Sequence, residues 1–335
     1  MNATANALYE RLRDVGFTRP YIRNVAALPT WWDDSLWDDG LGRAEGYIHL
    51  SRHLGIDIAT LAEPSTTLRL KDFGICKYKK TAGTTEDELF LSRVIATRAA
   101  QLAVTAVSCS YERIPTASVI RNNILETNST VGLESLVDFC WKSGVPVIHV
   151  STFPSDAKKK PMGFTLRVEG RPAIVLCLNN NQPAKQLFIL AHELGHVFHD
   201  HVPENGSLLD ERVDGEGLDE EETSADQFAV ELLNGRSGAA YTINGRWPKA
   251  ETLAEVARGY GRQNHIDTGL VVLNTAHGIG GGFWPVANAA LKLLDPAPNA
   301  IGSIRERLAA NLDWDQLPED SSEFLMRITG RELPA

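Results

Sequence analysis

The clearest chemistry in this chain lies in two histidines four positions apart with a glutamate beside the first. They sit in Leu187-Phe188-Ile189-Leu190-Ala191-His192-Glu193-Leu194-Gly195-His196-Val197-Phe198-His199, an HExxH pattern inside an apolar run. In a helix, residues four apart share a face, so His192 and His196 can aim two imidazoles at one metal ion. Glu193, one position round, can take a proton from a water that the metal activates. At about 100° per residue, Leu187, Ala191, Leu194 and Phe198 fall on one stripe and the histidines on roughly the opposite side. One face can then pack on a core while the other faces a site. The alternative is a buried helix whose histidines only hydrogen-bond their neighbours. A lone histidine would favour that reading, whereas this pair with Glu193 between them favours the metal.

A catalytic zinc site takes three protein ligands and leaves a fourth position for water. The search for the third leads to Glu220-Glu221-Glu222-Thr223-Ser224-Ala225-Asp226-Gln227-Phe228-Ala229-Val230-Glu231-Leu232-Leu233. Ala225, Phe228, Ala229, Leu232 and Leu233 form an apolar helical stripe, with Glu221 and Glu222 flanking it about equally. Periodicity leaves both open.

Together the two segments resemble the ImmA/IrrE-type zinc metallo-endopeptidases. In that family an apolar run ending in AHELGH precedes a helix reading ExxA(N/D)xFAxxLL, and here these are Phe188 to His196 and Glu222 to Leu233. The resemblance implies Glu222 as third ligand beside His192 and His196, with Zn2+ as cofactor and Glu193 as catalytic base. Gly144-Val145-Pro146-Val147 and the hairpin-like Gly163 to Asn180 also look like that family's segments, and the likeness spans roughly residues 85 to 240. Asn234-Gly235 stands where the family often has Met-Pro, a departure in the loop after the site. The resemblance further implies a protein substrate, a helix-turn-helix transcriptional repressor encoded nearby, cut in a stress, mobile-element or defence response. Two other readings are a transcriptional regulator or antitoxin-like binding module with a vestigial metal site, and a zinc enzyme cutting a non-peptide amide. Tyr241, just after the second helix, is a candidate oxyanion donor, since tyrosine suits that task.

Composition agrees with a packed enzyme. The 335 residues, 43% of them hydrophobic, are enough for two or three domains that fold without staples. The start, Met1 to Asn6, has no basic region followed by an apolar core, and no stretch approaches a membrane span, so a cytoplasmic location is expected. Cys76, Cys109, Cys140 and Cys177 are widely spaced, which fits reduced thiols better than disulfides or a second metal. A net charge of −10 argues against a general nucleic-acid binder.

The expected fold class is α+β, mostly helical. A gluzincin-like metallopeptidase core with a small sheet, residues 85–240, is flanked by helical parts at 1–66 and 241–335. The first part loosely resembles the helix-turn-helix units often joined to this family. Its first 63 residues hold six Arg and no Lys against nine Asp and Glu, 6 − 9 = −3. That balance suits protein docking or a structural role better than DNA. In Trp31-Trp32-Asp33-Asp34-Ser35-Leu36-Trp37-Asp38-Asp39 the tryptophans are expected to pin a turn and the aspartates to cap helices, with a partner-binding patch as the alternative. Lys77, Lys79 and Lys80 read as a solvated face. Helices are expected from Thr85 to Val107, from Pro115, and over Leu133 to Trp141. Strands are expected at Val145 to Val150, Phe164 to Val168 and Ala173 to Leu178, the last two joined by a hairpin turn at Glu169 to Pro172. An edge strand of that sheet is expected to line the cleft and hold an extended substrate. The acidic segment from Asp200 to Glu222 reads as solvated loop, with a lid as the sharper alternative. His199 and His201 read as surface histidines at a helix end, or else as groups supporting the site.

Overall fold

Leu89, Val94, Ile95, Ala96, Ala99, Ala100, Leu102, Ala103 and Ala106 are buried on all sides of one helix, Glu86–Ala106, and a helix apolar all round belongs inside a core. The computed structural model describes residues 3–71, 76–79, 86–155, 157, 160–204, 206–210, 220–236, 241 and 246–331. This central helix packs on a five-stranded sheet: β1 (Cys76–Lys79), β2 (Val147–His149), β3 (Gly163–Val168), β4 (Arg171–Leu176) and β5 (Ser207–Asp210), in the order β1-β5-β3-β4-β2. Strands β3 and β4 form the expected hairpin, with Gly163 opposite Leu176 and Val168 opposite Arg171. The two residues between them, Glu169 and Gly170, both have positive φ, 50° and 80°. A two-residue turn whose own twist matches that of the strands needs this conformation. Phe164, Thr165 and Leu166 are consecutive and all buried, so both faces of the sheet are covered. The mostly helical α+β architecture is as expected.

The helix carrying HExxH, Pro183–Phe198, packs on β3 and β4, and a second helix, Glu220–Asn234, packs on it. Helices Ala117–Leu125 and Leu133–Lys142 support these two. The expected edge-strand cleft takes a different form. The strand beside Glu193 is β3, an internal strand with β5 antiparallel on one side and β4 on the other. Periodicity gave no sign of β5, whose four residues lie within the acidic loop.

At the start of the chain, Trp37 and Trp32 are buried while Trp31 is 58% exposed. The Asp33 and Asp39 side chains accept from the backbone N–H of Ser35 and Gly42, capping the helical turns that follow. Helix Gly40–Leu54 ends at Gly55, whose φ of 64° turns the chain into Ile58–Ala62. That second helix has five residues and carries no basic side chain. The last helix, Glu319–Thr329, closes against this part of the chain. The Asp320 carboxylate accepts from His49 Nδ1 at 2.8 Å and from Arg52 at 2.7 Å, Arg327 donates to the Leu28 carbonyl at 3.0 Å, and the His53 ring stacks on Phe324.

Two buried histidines tie stability to pH. Burial pushes both His53 and His149 down from 6.5 to about 4, so each is neutral in the fold. His53 faces Asp320, His49 and Arg98. His149 lies between the Leu178 carbonyl and Ser151, which also accepts from Arg305. Between pH 6.5 and about 4 the unfolded chain therefore holds more protons, and stability falls as pH drops through that window. Thermal unfolding midpoints are expected to decline across it, and His149→Gln to decline less steeply than wild type.

Candidate metal centre

The metal helix starts at Pro183, where the missing N–H costs nothing, and buries His192, Glu193 and His196 along with its apolar stripe. His192 Nε2 lies 3.0 Å from His196 Nε2. The Glu222 carboxylate reaches both rings, 3.3 Å from His192 Nε2 and 3.5 Å from His196 Nε2. Tetrahedral nitrogen and oxygen ligands on zinc are separated by about 3.3 Å, so this donor set fits the ion. Glu222 is buried, whereas Glu221 is half-buried and outside the group.

Each histidine is held from behind. His192 Nδ1 donates to Asp226 Oδ1 at 2.8 Å, one turn beyond Glu222 on the same helix. His196 Nδ1 lies 2.8 Å from His201 Nδ1. Such contacts fix which ring nitrogen carries the proton and leave Nε2 facing the metal position. Glu193 is held from the sheet, accepting from Thr165 Oγ1 on Oε2 at 2.5 Å. The buried Cys177 thiol is pushed well up by burial and then by the charge of Glu193, so it stays neutral.

Two glycines make room for these groups. A Cβ at Gly163 would collide with the Glu193 carboxylate, and a Cβ at Gly195 would lie 2.9 Å from Ala225 Cα and O. The second contact is where the metal helix meets the Glu222 helix, so Gly195 and Ala225 set how closely Glu222 approaches the histidines.

Residues 145–261 match the family model Peptidase_M78, the IrrE N-terminal-like domain. This stretch is similar to that family. The matched stretch runs from the approach to β2 into helix Ala250–Asn264, and it contains His192, Glu193, His196, Thr165, Asp226 and Glu222. The family is one of peptidases, with metal-dependent chemistry. No curated protein and no solved structure matches the chain. No helix among the described residues is long and apolar enough to cross a membrane.

Other sequence expectations fall away from the centre. The Tyr241 hydroxyl donates to Asn234 Oδ1 at 2.9 Å, at the far end of helix Glu220–Asn234 from Glu222. Twelve residues of helix span about 18 Å, so Tyr241 is not placed to stabilise an oxyanion at the metal. His199 stacks on His201 and packs edge-on to Phe198. The acidic stretch 211–219 and Lys80 lie outside the described residues. Sequence periodicity gives no role to Asp226, Thr165, Gly163 or Gly195, although Asp226 fills the N/D position of the ExxA(N/D)xFA pattern. The second histidine cluster, His49, His53 and Asp320, has the Arg52 guanidinium on the same carboxylate oxygen, which suits docking of the last helix rather than a cation.

The glycines give separable outcomes. Gly163→Ala is expected to retain zinc and lose at least tenfold in kcat, because it displaces the Glu193 carboxylate. Gly195→Val is expected to weaken zinc binding by pushing the two helices apart. Metal titration and peptide turnover on both variants check this, and equal zinc affinity in Gly195→Val would contradict it.

Proposed function

We propose that this chain is a zinc-dependent endopeptidase that makes limited cuts in a protein substrate. The observation that carries this reading is the convergence of His192 Nε2, His196 Nε2 and the Glu222 carboxylate at separations of 3.0 to 3.5 Å, with Glu193 buried beside them. His192, His196 and Glu222 would hold the ion. Zinc there supplies Lewis acidity, polarising a scissile carbonyl and bringing the pKa of water down towards 7. Glu193 takes the proton of the attacking water and delivers it to the leaving amine nitrogen. Thr165 holds Oε2, which turns Oε1 towards the space left by the missing side chain of Gly163.

The proposed substrate is a helix-turn-helix repressor encoded nearby, cut in a stress, mobile-element or defence response. This rests on the resemblance to ImmA/IrrE-type endopeptidases, and cytoplasmic action suits such a target. The flanking helical parts, 1–66 and 241–335, would recognise the substrate or sense the trigger. The acidic balance of the first part supports a protein contact there rather than a DNA contact.

Zinc content measured by mass spectrometry, with cleavage of neighbouring repressors, tests the assignments. Wild type, Glu221→Gln and Glu193→Gln are expected to carry near-stoichiometric zinc and Glu222→Gln to lose it. Glu193→Gln should also lose roughly 10²- to 10⁴-fold in turnover, the scale of a general base. A wild type that binds no zinc, or specific operator binding without cleavage, would favour the binding-module reading instead.

An extended substrate would add to the sheet by main-chain hydrogen bonds. It can lie along β3 only where β5 gives way, or add outside an edge strand, β1 or β2. In hydrogen exchange, replacement of β5 is expected to expose the amides of 207–210 while the Arg167 N–H, bonded to Gly206 O at 2.9 Å, stays protected by substrate. Addition outside β1 should protect 76–79, and addition outside β2 should protect 147–149. Exchange unchanged at all three places by saturating peptide would rule out strand addition.

A further inference from the structure

We infer that His201 is a positioning residue for the metal, fixing the proton of His196 and coupling the metal helix to the helix that carries Glu222. The inference rests on the zinc-site reading above.

The local fold brings His201 back under His196. The metal helix ends at Phe198 with His199 as its cap, and Asp200 follows with a φ of 55°, held by Arg167 at 2.7 Å. A left-handed residue just past a helix end reverses the chain and lets the next N–H bond back to the last turn. Here the His201 N–H donates to the His196 carbonyl at 3.1 Å, and the Asp200 N–H to Val197 O at 3.2 Å. The His201 ring thus lies 5.1 Å from that of His196, centre to centre.

The proton positions follow from the metal. A histidine that gives its Nε2 lone pair to a cation carries its proton on Nδ1. His196 Nδ1–H points at His201 Nδ1, 2.8 Å away, so that nitrogen accepts. The neutral His201 ring then carries its own proton on Nε2, 3.4 Å from Ser224 Oγ. The Ser224 hydroxyl donates to the Glu221 carbonyl at 2.9 Å, which leaves its oxygen lone pair for His201. One directed chain, His196 to His201 to Ser224 to Glu221 O, links the second ligand to the first turn of the Glu222 helix. His192 has a carboxylate behind it, Asp226, and His196 has an imidazole.

The test uses the full chain and zinc affinity from chelator competition. His201→Ala and His201→Gln are expected to weaken zinc roughly 10- to 100-fold, the usual effect of removing a group behind a metal ligand. His201→Asn places an amide oxygen near the position of Nδ1 and is expected to bind zinc within a few-fold of wild type, whereas the Gln amide reaches only the outer, Nε2, position. Metal-free unfolding midpoints should be alike in all four proteins. In zinc-loaded wild type, nitrogen NMR should find His201 protonated on Nε2. Wild-type affinity in His201→Ala, equal losses in the Ala, Gln and Asn variants, metal-free destabilisation parallel to the zinc loss, or a proton on His201 Nδ1 would each overturn the assignment. A wild type that takes up no zinc would overturn the zinc-site reading itself and this assignment with it.

Discussion

The close crossing of two helices at Gly195 and Ala225 is the constraint on which the centre depends. Only a residue without a side chain allows the Ala225 backbone to come this close, since a Cβ at position 195 would lie 2.9 Å from Ala225 Cα and O. That approach brings Glu222, one turn earlier on its helix, against the two imidazoles. The same contact is reinforced by apolar packing a turn away, where Phe198 stacks on Phe228 at 5.0 Å between ring centres. Ligand geometry and core packing are therefore set by one interface, and a change in the packing of Phe228, Ala229 or Leu232 acts on the metal position as well as on stability.

The interface also gathers polar groups that would cost free energy to bury alone. His192, Glu193, His196 and Glu222 are all buried. Taking such groups out of water is unfavourable unless each finds a partner. Asp226 and His201 stand behind the histidines and Thr165 behind Glu193, while the two imidazoles and Glu222 face one another. A cation among the last three offsets their burial, because it attracts the carboxylate and occupies both nitrogen lone pairs. The arrangement fits such an ion, with the Glu193 carboxylate held separately from the sheet.

Away from the centre, the two ends of the chain are joined through Asp320, which lies between His49 and Arg52, and through Thr30, which donates to Glu323. Trp31 and Ile48 are exposed beside this seam. Neither end contributes a side chain to the metal cluster among the described residues.

Sequence by itself determined the metal helix, the apolar stripe of its partner, the hairpin and the central helix, because each rests on local periodicity or turn chemistry. His192, Glu193 and His196 were legible for the same reason: the helical repeat places them without reference to the rest of the chain. Glu221 and Glu222 could not be separated in that way, since both flank the stripe, and the resemblance alone pointed to Glu222. The choice between them in space depends on how the second helix is rotated and how closely it approaches, which Gly195 and Ala225 decide across 30 residues of chain. Tertiary structure likewise decided that Tyr241 lies against the end of the second helix remote from Glu222, that Thr165 reaches Glu193, and that β5 lies along β3. It also separated His201 from His199, because a left-handed turn at Asp200 returns one ring to His196 and leaves the other stacked outside it. Those are contacts between residues distant in sequence or dependent on a single dihedral angle, and hydrophobic periodicity carries no record of either.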